Sequence, residues 1–246
     1  MKRIMLTVSY DGTDYCGWQV QPAGVTIESV LNRELSRLLK EDVRVQGCSR
    51  TDSGVHALGN LCVFDTQTRI PSEKICYALN QGLPEDIVIQ ESKEVARDFH
   101  PRKCDSIKTY EYTIYNHRFP NPVERRYSYF CYTPLDVEKM QQAAAYLVGE
   151  HDFKSFCSAG SQAETTVRRI TSLTIDQDGP RIRIRVQGTG FLYNMVRIIA
   201  GTLLRVGTGF WPPEQVEEIL RACDRAVAGP TAPPEGLLLV KIDLKR

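Results

Sequence analysis

The amino-acid sequence predicts an α+β fold in two halves on mostly antiparallel sheets. Three observations predict it. Apolar and polar residues alternate in several short segments, as in half-buried strands. Helical spacing appears only in a few stretches between them. Short polar turns such as Asp178-Gly179-Pro180 join strand pairs, which favours antiparallel pairing over long parallel crossovers. The pattern begins again after about residue 104, so we expect one domain over 1–104 and a second over 105–246.

Taken in order, Ile4, Leu6, Val8 and Tyr10 share one face of a strand over 2–10. Residues 11–19 are loop chemistry, with two glycines, two Asp and two aromatics. Thr26 caps a helix that carries Ile27, Val30, Leu31, Leu35 and Leu38. Strands follow at 43–45 and 61–64, a helix capped by Ser72 and stopping near Gly82 and Pro84, and a short strand at 87–89. In the second half, strands are expected at 110–115 and 127–132, and a helix from Asp136 towards Gly149. The strands 170–175 and 181–186 flank the Asp-Gly-Pro turn. An apolar helix from about Phe191 to Val206, a shorter one over 213–223 and a last strand at 237–242 complete the chain.

Composition bounds the function. The 246 residues hold 31 Lys+Arg against 30 Asp+Glu, a formal charge of +1, which excludes a polybasic coat protein but leaves room for a local basic groove. No apolar run approaches the ~20 residues of a membrane span. The start of the chain reads as a first strand and not as a signal peptide. The eight cysteines are widely spaced and form no C-x-x-C, so reduced thiols in a cytoplasmic protein are expected. Zinc spacing, a phosphate loop and a complete dinucleotide fingerprint are all missing. The expectation is an activity without metal or cofactor, resting on side chains.

Four groups of residues carry chemistry. Arg50-Thr51-Asp52-Ser53-Gly54-Val55-His56 lies between two strands, and Asp52 is either a nucleophile or acid/base, or a carboxylate bonding its own turn. Arg197 sits in a mostly apolar helix, along the axis from Tyr193 and Gly201. It either faces a carboxylate or an anionic ligand, or reaches to solvent. The run from His100-Pro101-Arg102-Lys103 to Lys108-Thr109-Tyr110-Glu111-Tyr112 interleaves aromatics with cations. That suits an RNA surface or a packed sheet face. Arg181, Arg183 and Arg185 alternate with Ile182, Ile184 and Val186, and their like charges make an anionic partner reasonable.

These residues resemble the tRNA pseudouridine synthase A family over nearly the whole chain. Tyr10-Asp11-Gly12-Thr13 with Gly17-Trp18-Gln19 resembles its opening motif, and Arg50-Thr51-Asp52-Ser53-Gly54-Val55-His56-Ala57 its catalytic motif. Lys108-Thr109-Tyr110-Glu111-Tyr112, His151-Asp152-Phe153, Gly190-Phe191-Leu192-Tyr193-Asn194-Met195-Val196-Arg197 and Ala232-Pro233-Pro234-Glu235-Gly236-Leu237 follow in family order. Ser49, Ser53 and Lys108 depart from the commoner Gly, Ala and Arg.

The resemblance implies an isomerase acting on uridines 38, 39 and 40 in the tRNA anticodon stem-loop, in a cleft between two similar, α/β-sandwich-like halves. It implies Asp52 as the essential carboxylate, Arg197 as its partner and Tyr110 against the target base. Arg50 would assist base flipping. Arg102, Lys108, Arg181, Arg183 and Arg185 are candidate RNA contacts. A homodimer is implied as well, with no membrane partner. A non-catalytic RNA-binding protein or chaperone is the alternative; an N-glycosidase is a third, marked by free uracil. Charge along the chain fits an RNA partner. Seven arginines (Arg168, Arg169, Arg181, Arg183, Arg185, Arg197, Arg205) face only Asp176 and Asp178 in one stretch, whereas residues 214–224 hold four acids against Arg221. A basic cleft offset by acidic outer helices is the expectation.

Overall fold

The computed structural model describes residues 1–245. It divides into two compact units, Met1–Asp105 with Leu238–Arg246, and Ser106–Leu237. Both are α+β, and their sheets are mostly antiparallel.

In the first unit β1 (Lys2–Tyr10) lies between β4 (Ile87–Val95) and β3 (His56–Thr66), antiparallel to both. The last strand, β10 (Leu237–Leu244), runs parallel to β3, with Leu238 opposite His56. A central strand is covered on both sides, and Ile4, Leu6 and Val8 are fully buried while Met5 on the other face is nearly so. Helix α1 (Ile27–Leu39) starts at Thr26, whose side chain accepts from Ser29 N at 3.2 Å while Ser29 Oγ accepts from Thr26 N at 3.1 Å. This capping box satisfies two donors at the helix start that have no partner within the helix. Ile27, Val30, Leu31 and Leu35 form its buried face.

Two local expectations fail here. Val43 and Val45 are buried, but the strand beside them, β2, covers only Gln46–Gly47. Val43 N donates to Ser36 Oγ at 3.0 Å and Val45 N to Asn32 Oδ1 at 2.8 Å. Side chains of α1 thus take the donors that a ladder would use. Ser72 is not the cap of α2 (Ile75–Asn80): a 3-10 turn over Ser72–Lys74 leads in from Pro71, and the Ser72 carbonyl accepts from Ser92 Oγ at 2.6 Å.

In the second unit the sheet order is β5 (Ser106–Asn116), β9 (Arg181–Gly188), β8 (Val167–Asp178) and β7 (Gly149–Asp152), all antiparallel neighbours. The expected strand at 127–132 shrinks to β6 (Tyr129–Cys131), which runs parallel to β5. Tyr110, Tyr112 and Ile114 of β5 and Ile182, Ile184 and Val186 of β9 make one buried face. Helices α3 (Val137–Ala145), α4 (Met195–Gly207) and α5 (Gln215–Ala222) complete the unit. Asp136 caps α3 through Lys139 N at 3.0 Å. Helix α4 starts at Met195 and not at Phe191, because Asn194 takes a left-handed conformation with φ of 60° that no helix continues through.

Candidate active site

Asp52 stands in irregular backbone between β2 and β3, half-buried, with Thr51 buried before it and Ser53 exposed after it. What holds this backbone is the segment that follows β1. Trp18 N donates to Thr51 O at 3.0 Å. Gly54 N and Ser53 Oγ both donate to Tyr15 O, at 3.2 and 3.1 Å. Val55 N closes the turn onto Asp52 O at 3.2 Å. The approach is so close that two glycines are required. A Cβ on Gly12 would lie 2.0 Å from Val55 O, and one on Gly17 would lie 2.7 Å from Thr51 O. Gly17 also has φ of +83°, open to glycine and costly for other residues. The opening motif is therefore a brace beneath the Asp52 loop. Arg50 is exposed beside it, and Arg102 is exposed in a turn where its N–H donates to His100 Nδ1 at 3.2 Å.

In the second unit Tyr110 is 7% exposed on β5, and its ring meets Phe191 edge-on with centroids 5.2 Å apart. Phe191 reaches it over Gly188, where a Cβ would lie 3.1 Å from the ring. Lys108, half-buried, shares the Tyr110 face of β5 by strand alternation. Tyr112, fully buried two residues on, donates its hydroxyl to Pro233 O at 2.9 Å, and burial pushes its phenol above the usual range.

Arg197 is held by its own unit as well. Its Nε donates to Ala232 O at 2.7 Å and its Nη1 to Asn194 Oδ1 at 3.0 Å, while Ala232 N returns a bond to Arg197 O at 3.1 Å. These two acceptors, a main-chain carbonyl and an amide oxygen, are neutral and fix the direction of the guanidinium. The contact depends on Gly201, one turn on, where a Cβ would lie 1.8 Å from Pro230 O.

The three alternating arginines behave differently from the expected basic cleft. Arg185 lies opposite Glu111 and Tyr110 opposite Val186, so the arginine row is on the sheet face away from Tyr110. Arg185 Nη2 meets Glu111 Oε2 at 2.7 Å, and Arg181 forms a two-point pair with Glu124. Half-exposed Arg183 lies between them, across from Asp176 on β8. Carboxylates of the same unit thus offset charges that, on the sequence alone, asked for an outside anion. A direct hold on a base beside Tyr110 is closed to this row.

Several supporting residues carried no assigned role on sequence grounds: Asn194, Phe191 and the Ala232 carbonyl. Only Asn194 has a usable signal, an Asn placed just ahead of an apolar helix and three residues before its arginine.

A family model described as tRNA pseudouridine synthase matches residues 6–102 and 143–243. The chain belongs to that family. The synthase is also similar over its length to curated relatives. It is 46% identical to "tRNA pseudouridine synthase A" of Thermoanaerobacter sp. (strain X514), covering 98% of this chain and 99% of the relative. It is 48% identical, with the same coverage of both chains, to "tRNA pseudouridine synthase A 2" of Clostridium perfringens (strain 13 / Type A). A Brevibacillus brevis relative bearing the first of those names is 47% identical at that same coverage. As a family member the synthase is an isomerase that converts uridine to pseudouridine in tRNA, and nothing in the comparisons favours the non-catalytic alternative.

Proposed function

We propose that this synthase isomerises uridines of the tRNA anticodon stem-loop, with Asp52, Tyr110 and Arg197 as its catalytic groups. The reaction breaks the N1–C1′ bond of uridine, turns the uracil and joins its C5 to C1′. The C5 proton is lost and N1 gains one, so no electron or phosphoryl group is exchanged. Asp52 acts at the ribose. Arg197 keeps it ionised and aimed, since a guanidinium beside a carboxylate favours the charged form. Tyr110 packs against the uracil and takes part in removing the C5 proton, and Arg50 assists in bringing the base out of the stem. Arg102 and Lys108 contact the RNA. Arg181, Arg183 and Arg185, on the other face of their sheet, hold backbone phosphate only. We place the protein in the cytoplasm with its tRNA, as a homodimer whose RNA cleft draws on both subunits. None of the described helices is long and apolar enough to cross a membrane.

One observation carries the assignment of Asp52. Its backbone is braced on both sides by the segment after β1 while its side chain stays half-exposed, an arrangement suited to presenting a carboxylate. The test is tritium release from tRNA labelled at uracil C5. Asp52→Asn should abolish release and keep tRNA binding, and full activity would sink the assignment. Arg197→Lys keeps the charge but loses the fork, so it should be badly impaired. Free uracil among the products would point to a glycosidase instead.

A further inference from the structure

The loop that carries Asp52 is tied to the sheet by two residues that cannot reach RNA. Asn60 of β3 is 0% exposed and Tyr10 of β1 is 4% exposed. Asn60 fills all four hydrogen-bonding positions of its amide. Its Oδ1 accepts from Ser49 N at 3.3 Å and Leu61 N at 2.9 Å, and its Nδ2 donates to Ser49 O at 3.0 Å and the Tyr10 hydroxyl at 3.2 Å. The Tyr10 hydroxyl in turn meets Thr51 Oγ1 at 2.7 Å. Ser49 is therefore held at both its N–H and its carbonyl. Thr51, the residue before Asp52, is held by its side chain here and by Trp18 at its carbonyl.

We propose that Tyr10 and Asn60 are positioning residues for the isomerisation, acting on Asp52 through Ser49 and Thr51. The proposal rests on the reading of Asp52 as the catalytic carboxylate. An apolar pair of similar shape would fill the same space without the desolvation cost of two buried polar groups. What it would not do is fix irregular backbone to β1 and β3. A carboxylate that must meet one ribose atom gains from such fixing, because small displacements at a reacting centre cost large factors in rate.

The experiment is a double-mutant cycle on kcat and KM for C5 tritium release, with thermal melting beside it and Asp52→Asn as reference. Tyr10→Phe removes one oxygen, and Thr51→Val cuts the same link from its other end. Thr51→Val should lower kcat about three- to tenfold, the effect of one neutral hydrogen bond lost from transition-state placement, and Tyr10→Phe at least as much, since it also takes the acceptor from Asn60 Nδ2; KM for tRNA should stay within about twofold. The double variant should be no worse than the poorer single one. Fully additive losses, or kcat within twofold of the wild type in both single variants while Asp52→Asn is inactive, would overturn the proposal. If Asp52→Asn itself stayed active, the reading of Asp52 would fail instead. Should one single variant not fold, the kcat and KM of the other decide, because a purely structural tie lowers the melting temperature without separating kcat from KM.

Discussion

Gly17→Ala tests the brace beneath the Asp52 loop. Gly17 has φ of +83°, where an L side chain costs about 1–2 kcal/mol. The added Cβ would lie 2.7 Å from Thr51 O, 3.0 Å from Asp52 C and 3.1 Å from Ser53 N. All three are backbone atoms, so no side-chain rotation relieves them. Ordinary contacts are about 3.5 Å, and overpacking of this kind costs roughly 1–3 kcal/mol. The sum is about 2–5 kcal/mol, a melting temperature lower by roughly 4–20 °C for a chain of this size. Gly209→Ala is the control: its φ is +75° but nothing lies within 4 Å of the new Cβ, so it bears the backbone cost alone. Because the displaced atoms flank the Asp52 side chain, kcat in the C5 tritium assay should fall about tenfold or more at a temperature where the variant is folded, with KM little changed. If Gly17→Ala melted no earlier than Gly209→Ala, the close contact would be wrong. A lowered melting temperature with undiminished kcat would show that Gly17 does not place the carboxylate.

Two further outcomes are expected. Glu34 is nearly buried on α1, and its carboxyl is held below the usual range mainly by the Arg33 hydrogen bond, with Arg37 adding to it against the opposing cost of burial. A depressed folded pKa gives stability that is present above the unfolded value of about 4.3 and is lost as pH falls through the folded value. Glu34→Gln should flatten the acid limb of stability against pH in melting experiments, and an unchanged limb would refute this. Replacing Arg181, Arg183 and Arg185 together with Gln should raise KM for tRNA and reduce its salt dependence while kcat stays within about twofold. A large fall in kcat would contradict their placement on the sheet face away from Tyr110.

The parts of the fold legible in sequence were those set by local chemistry. Thr26 with its helically spaced Ile27, Val30, Leu31 and Leu35, and the alternation of Ile4, Leu6, Val8 and Tyr10, mark α1 and β1 within a few residues of where they lie. What stayed hidden depends on partners distant in sequence. Val43 and Val45 have the burial of a strand but give their N–H groups to Ser36 and Asn32, and periodicity reports burial, not the hydrogen-bond partner. Likewise, the arginine alternation was visible, but Glu111 lies 74 residues from Arg185 and Glu124 lies 57 from Arg181. At the candidate site, local physics left Asp52 as one Asp-bearing turn among many, and only the order of the surrounding motifs singled it out. The carbonyls of Tyr15, Ala232 and Pro233 have no sequence signature, since every residue carries one.

Those carbonyls bear on how the two outlying motifs work. Beside the Tyr10 side-chain tie, the opening motif and the closing motif act largely through main chain. The first sets glycines against the Thr51–Ser53 and Val55 backbone, and offers Tyr15 O to Ser53 and Gly54. The second runs along α4 where Gly201 admits it, and offers Ala232 O to Arg197 and Pro233 O to Tyr112. Gly236 then lets the chain pass against the Tyr112 ring, with a Cβ there lying 2.7 Å from Cζ. In each unit a side chain proposed as catalytic stands on an element that would not hold it alone: an irregular loop for Asp52, and for Arg197 an apolar helix whose arginine would otherwise extend to solvent. In each, a glycine-dependent close approach brings a backbone carbonyl to the place where it is needed. A side-chain acceptor would add rotamers of its own, whereas a carbonyl fixed by packing adds none. Much of the rigidity of these two supports thus comes from main chain, beside the side-chain ties of Tyr10, Asn60 and Asn194, and glycine is what lets the main chain come near enough.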